Sequence, residues 1–303
     1  VAKETSREIN LRRPGTIVLT GGLGGLGKEV ARHLVKEHGA TSLLLTSRRG
    51  INSEGAAEFI DELKQLGAQR VAVESCDVTQ LESLRAVFES IPEDYPLLGV
   101  MHLAGVLRDG LGVDLSSDDL HAVMAPKVDG GWNLHTLTQG VSLEFLVFFS
   151  SIAGTVGNPG QSNYGAANAF LDGLAAMRRA RGLPAQSVVW GPWQNAGMVA
   201  ELSLADQNRM KRSGVLALTD EQGLGLLDAA MGSSGTVLTT ANFDWKQVQR
   251  GANEGAPVPP LFRSMVQVSA TQSSAWLERL GKLPKEEHYG TVLELIRSEV
   301  ASA

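Results

Sequence analysis

A single cysteine, Cys76, stands in the 303 residues, so no disulfide can close within the chain and no thiolate cluster can hold a metal. Positive charge is also in deficit: 27 Lys and Arg against 33 Asp and Glu leave a net charge of -6. That balance excludes a surface built to neutralise nucleic-acid phosphates or an anionic bilayer, and confines any phosphate site to a local feature. Long apolar runs are missing, and the opening VAKETSREIN has no signal-peptide core. These absences predict a soluble, cytosolic protein. His102, His121 and His135 are too scattered to suggest a metal site.

What is present is an alternation. Short β-branched runs, TIVLT, TSLLLTS, RVAVESC, LLGVMHL, EFLVFFSS, AQSVVW and GTVLTT, read as strands buried on both faces. Between them lie helix-length amphipathic segments, with capping boxes expected at Thr79 with Glu82 and Thr219 with Gln222 and a long helix from Ser117 to Gln139. The alternation predicts an α/β fold with a doubly wound parallel sheet. Glu201 to Leu218 breaks the rhythm near the sheet's carboxyl edge and reads as a helical lid. GANEGAPVPP, from Gly251, reads as a linker, and the tail from Glu286 to Val300 as a helix needing a partner surface.

TIVLTGGLGGLGKEVARHL sets glycines at 21, 22, 24, 25 and 27 between a strand and a helix. Glycines there let the backbone turn tightly, approach a pyrophosphate and aim helix N-terminal amides at its charge. After the second strand an acidic residue would suit NAD, whereas this chain has Ser47 and Arg48, followed by Arg49, which favours the extra phosphate of NADPH or is simply a solvated basic turn.

GQSNYGAANAF opens a small-residue helix with Tyr164, a tyrosine that is either an acid for carbonyl chemistry or a core residue. Ser151, thirteen residues earlier at the end of EFLVFFSS, can supply a second hydrogen-bond donor. Strand neighbours face opposite ways, so the adjacent Ser150 reads as structural.

The spacing from Thr20 and Gly21 to Gly25 and Gly27 resembles the T-G-x-x-x-G-x-G loop of short-chain dehydrogenases/reductases, and CDVT and HLAGV follow in that family's order. The resemblance implies cofactor contacts at Thr20, Gly21, Gly22, Leu23, Gly24, Gly25 and Leu26, at Ser47 and Arg48, at Asp77 and Val78, and at Ala104 and Gly105. One departure stands out: four residues past the tyrosine, where ordinary members carry Lys, this chain has Asn168. Lys127, in VMAPKVDGGWNLH, lies where they carry Asn. That exchange, with LLLTSRRG, MAPKVDGGWNLH, FFSSIAG and GLPAQSVVWGPW, is similar to the ketoreductase domains of modular type I polyketide synthases over about Pro14 to Arg263. The resemblance implies a catalytic set of Lys127, Ser151, Tyr164 and Asn168.

It further implies NADPH as cofactor and, as substrate, a β-ketoacyl chain on the phosphopantetheine arm of an acyl carrier protein, among the other domains of a synthase. Leu107 and Asp109, though Arg108 stands between them, together with Pro159 and with Val156 where A-type members have Trp, point to the B-type, D-alcohol class. Gln161, Gly197 and Met198 complete the expected substrate-facing positions. Ala167, in place of a Pro, disfavours the subclass acting on epimerised α-methyl groups. On this reading residues 1–13 are a lead-in from a structural half, 14–263 the catalytic domain and 264–303 a linker toward a carrier protein. The rival readings are a domain that binds cofactor without turnover and a free-standing short-chain dehydrogenase.

Overall fold

The computed structural model describes residues 11–195, 213–254, 256, 258–266 and 280–302. Seven parallel strands form one sheet: β1 Thr16–Thr20, β2 Ser42–Ser47, β3 Arg70–Ser75, β4 Leu97–His102, β5 Phe145–Ser151, β6 Gln186–Trp190 and β7 Val237–Thr240, in the order β3-β2-β1-β4-β5-β6-β7. All seven expected strands are present. Because side chains alternate along a strand, consecutive residues serve opposite cores. Ile17, Leu43 and Val147 lie in one buried cluster, and Val18, Leu44 and Phe148 in the other. The first is covered by α1 Gly25–Lys36, α2 Ala56–Gln65 and α6 Asp220–Met231, the second by α3 Leu81–Glu89, α4 Ser117–Leu137 and α5 Ser162–Ala180. The strand order reverses between β1 and β4, so the crevice where such sheets bind ligands opens above their carboxyl ends.

The Thr219–Gln222 capping box forms, and an unanticipated one, Ser116 with Asp119, starts α4. The box expected at Thr79 does not form. Thr79 gives both its amide and its hydroxyl to the Asp77 carboxylate, at 3.0 and 2.8 Å, and α3 starts after Gln80. Bonded through both groups to a carboxylate two residues upstream, Thr79 belongs to that local turn and does not cap the helix.

Asp228 on α6 accepts hydrogen bonds from His33 Nε2 at 2.8 Å and His38 Nε2 at 2.7 Å, clasping α6 to the end of α1. These ligand-type atoms lie within 4.8 Å of one another, yet each histidine nitrogen already has its acceptor, so the cluster is complete as a clasp. Burial works to raise the Asp228 pKa, but the two hydrogen bonds and the histidine charges outweigh it and hold the carboxyl below its ordinary range. A depressed carboxyl stabilises the fold above its unfolded value, near 4, and loses that contribution as pH falls through the lower folded value. Asp228→Ala is expected to lower stability at pH 7 by about 1 kcal/mol, the partly exposed site being screened, with the difference shrinking toward pH 2 in denaturant titrations.

The chain divides into two compact units, the second comprising 209–214 and 243–303. In it α7, Trp245–Asn253, is capped by Asp244, and Phe243, Trp245 and Phe262 cluster with ring centroids 5.0–5.3 Å apart, Phe262 meeting the other two edge to face. The helix takes in Gly251 to Asn253, so the expected linker begins later than its composition suggested. A final helix, α8 Lys285–Ser302, covers the predicted tail segment, and none of its described side chains is buried. The lid expected at Glu201 to Leu218 falls largely outside the described residues. No helix among the described residues is long and apolar enough to cross a membrane.

Candidate active site

The loop from β1 to α1 has the shape its glycines predict. Gly21 holds φ +69°, and a Cβ there would sit 3.0 Å from the Ala104 amide. A Cβ on Gly27 would lie 2.5 Å from the Gly21 carbonyl, so any side chain would push the helix off the turn. Gly24 and Gly25 are exposed at the start of α1, where the first-turn amides have no intrahelical acceptor. Leu23 and Leu26, both half-buried, pack against the core. A pyrophosphate fits this cradle.

The flanking positions divide by role. Ser47 accepts from the Gly50 amide at 3.0 Å and contacts Ser53 Oγ at 2.9 Å, closing the turn, while Arg48 and Arg49 are exposed. Asp77 is exposed, with one carboxylate oxygen held by Thr79. Val78 is buried, and its carbonyl accepts from Asn133 at 3.0 Å. Ala104 and Gly105 follow the end of β4, and the Ala104 backbone lies against Gly21. The Thr20 side chain is fully buried and lies 2.7 Å from His102 Nδ1, leaving its backbone to the cradle. His102 Nε2 faces the Pro126 carbonyl at 3.0 Å, so that nitrogen carries the proton and Nδ1 accepts from Thr20. Burial, aided by the charge of Lys127, holds the His102 pKa at about 3, keeping the ring neutral. Thr20 therefore links the cradle strand to the helix that bears Lys127.

Lys127 follows Pro126 within α4 and is 3% exposed. Its Nζ donates to the Phe149 carbonyl at 2.9 Å and lies 5.6 Å from the centroid of the Tyr164 ring. Burial pushes the lysine down to about 8, with Asp172 opposing. Burial raises the Tyr164 phenol above its ordinary value; hydrogen bonding from Asn168 and Ser151 pulls the other way, and the charge of Asp109 adds to the rise. At neutral pH the site thus holds a protonated phenol beside an ammonium. Ser151 ends β5 and accepts from the Ala153 amide at 3.2 Å, which leaves its hydroxyl proton for another acceptor. Ser150 is buried, 3.3 Å from the Asn168 carbonyl, and takes no part in the cleft. Asn168 is fully buried, donating to the Tyr164 carbonyl at 2.7 Å.

The structure adds a residue that sequence reasoning passed over. Asn163 accepts from the Tyr164 amide at 2.8 Å and donates to the Arg108 carbonyl at 2.9 Å, fixing the tyrosine against the loop after β4. Its only sequence signal is its place directly before the tyrosine. The same loop is latched again by Gln161 to Asp109 at 2.8 Å and by the Gly110 amide to the Gly160 carbonyl at 2.8 Å, with Asn158 holding Gln161. Asp109, Gln161 and exposed Pro159 therefore belong to one pair of joined loops; Leu107 and Val156 are half-buried. Gly197 and Met198 lie outside the described residues.

Comparison with known proteins matches residues 15–195 to the KR domain family model. The spectinabilin polyketide synthase system protein NorB of Streptomyces orinoci is 44% identical over 95% of this chain, and mycoketide-CoA synthase of Mycobacterium tuberculosis 41% identical over 95%. The chain spans only 14% and 7% of those two proteins. Among solved structures, A-type ketoreductases from a modular polyketide synthase superpose with a TM-score of 0.79 at 38% identity, covering 91% of this chain and 56% of theirs. A C2-type ketoreductase gives 0.75 at 30%, covering 86% of this chain and 55% of its own. With its seven-stranded sheet, glycine cradle and KR-family match, the chain belongs to the ketoreductase domains of modular polyketide synthases.

Proposed function

We propose that this domain reduces a β-ketoacyl thioester, tethered to an acyl carrier protein of the same synthase, to the β-hydroxyacyl thioester, with NADPH as cofactor and the D-alcohol as product. The observation that carries the reading is the half-buried Tyr164, its phenol kept protonated, with the buried Lys127 Nζ 5.6 Å from its ring centroid. A nicotinamide cofactor held at the Gly21–Gly27 cradle would supply the hydride. Tyr164 gives its proton to the carbonyl oxygen, Ser151 donates a hydrogen bond to that oxygen, and Lys127 stabilises the phenolate left behind. Asn168 and Asn163 act on the tyrosine's backbone and fix its place. Tethering raises the local substrate concentration, so the cleft need not bind the acyl chain tightly.

Arg48, exposed after β2 where an acid would suit NAD, supports NADPH. Overall likeness extends to both A-type and C2-type enzymes, so the stereochemical assignment rests on the cleft entrance. There Val156 replaces the A-type Trp, and Pro159 accompanies the Asp109–Gln161 latch. The test is cofactor oxidation with a short β-ketoacyl thioester, comparing NADPH with NADH and resolving the alcohol by chiral chromatography. Turnover at least about tenfold faster with NADPH, giving the D-alcohol, is expected. An L-alcohol would remove the B-type assignment alone, and NADPH binding without turnover would make the domain an inactive binder.

A further inference from the structure

We infer that Asp172 is the counter-ion of Lys127, a positioning residue for the reaction proposed above, on which this assignment rests. Helix α5 places Tyr164, Asn168 and Asp172 four residues apart on one stripe, so the carboxylate lies one turn beyond Asn168. Two buried serines meet that stripe from adjacent strands. Ser187 of β6 contacts Asp172 Oδ1 at 2.5 Å and stands in register with Phe148 of β5, next to the Phe149 carbonyl that takes the Lys127 ammonium, while Ser150 of β5 donates to the Asn168 carbonyl at 3.3 Å. Polar groups set into an otherwise apolar layer between sheet and helix are unfavourable unless they serve one another or a charge. The charge to be served is Lys127, a buried ammonium that donates to the neutral Phe149 carbonyl.

Three titratable groups bear on that ammonium: the neutral His102 from β4, and Tyr164 and Asp172 from α5. Of these Asp172 is the carboxylate, the group whose ionised form can balance the ammonium. Burial raises the Asp172 carboxyl, while Ser187, Ser150 and Lys127 draw it back toward the ionised form. Burial lowers Lys127 to about 8, and Asp172 limits the fall. With the carboxylate gone, the lysine sheds its proton at lower pH, and the phenolate formed at Tyr164 loses its cation within the neutral range.

The test compares the native protein with Asp172→Asn, which keeps a hydrogen-bonding group beside Ser187 but removes the charge. Ser187→Ala serves as a graded comparison, since it removes one hydrogen bond that favours the carboxylate and leaves the carboxyl itself in place. The direct readout is the pH titration of the Lys127 side-chain ¹³Cε and ¹⁵Nζ resonances, assigned by their loss in Lys127→Met and recorded without cofactor or substrate. Asp172→Asn should move that titration down by about one pH unit, and Ser187→Ala should move it clearly less. The alkaline limb of kcat/KM for thioester reduction should move with it, with about tenfold lower activity near pH 8 and recovery toward pH 6. Should Asp172→Asn fail to fold, Asp172→Glu and Asp172→Gln form a pair of equal size that differ in charge, and only the Gln variant should move the lysine. An unmoved Lys127 titration overturns the inference whatever the activity. A moved titration in a protein that reduces no β-ketothioester keeps the counter-ion and overturns the proposed function.

Discussion

Tyr164→Phe should reduce thioester reduction at least about a hundredfold, the scale on which a positioned general acid contributes. The substitution removes one oxygen and little else. The ring that faces Lys127 at 5.6 Å remains, and the bonds that place the residue, from Asn168 Nδ2 to its carbonyl and from its amide to Asn163, run to the backbone. The cofactor cradle lies on a different loop, built around Gly21 and Gly27. NADPH affinity should therefore change less than about twofold, and the melting temperature by only a few degrees. That combination, chemistry lost with fold and cofactor site kept, separates an acid from a packing residue. If the variant kept more than a tenth of the activity, the proton would have to come from elsewhere, with the Ser151 hydroxyl as the nearest candidate.

How much of this could be read beforehand depended on whether the signal was local. The seven strands were legible because burial on both faces leaves continuous apolar runs, and the cradle because its glycines answer to backbone geometry within a few residues. Lys127 was different. On its own it reads as a solvated helix lysine, and only the resemblance singled it out; its burial follows from packing with β5 and α5, distant in sequence. Asn163 gave no signal beyond its place before the tyrosine and Asp172 none, since their partners, the Arg108 carbonyl and Ser187, lie 55 and 15 residues away. Thr20 was assigned to the cofactor by its place in the motif, yet its hydroxyl goes to a histidine 82 residues on. Even the local reading failed at Thr79, where correct capping-box spacing lost to the Asp77 carboxylate.

Lys127→Met is the second large effect, and its sign differs between activity and stability. Methionine fills most of the same space without charge, so the Tyr164 phenolate loses its cation and turnover should fall by about a hundredfold. The native enzyme's rate should decline as pH rises through about 8, where Lys127 loses its proton, and the variant's residual rate should lack that limb. Stability should move the other way. A lysine with a folded pKa of about 8 against an unfolded value near 10.4 is held charged at pH 7 at a cost of order 3 kcal/mol. That cost is fully present below pH 8 and fades as pH rises toward the unfolded value. Denaturant unfolding at pH 7 should accordingly find Lys127→Met no less stable than the native domain, and the native domain should gain stability on going from pH 7 to 10 where the variant does not. A variant clearly less stable at pH 7 would show that the hydrogen bond to the Phe149 carbonyl outweighs the buried charge, placing the lysine in the scaffold first. A variant stable and inactive would show the reverse: the fold bears an unfavourable buried ammonium because the proton transfer at Tyr164 depends on it.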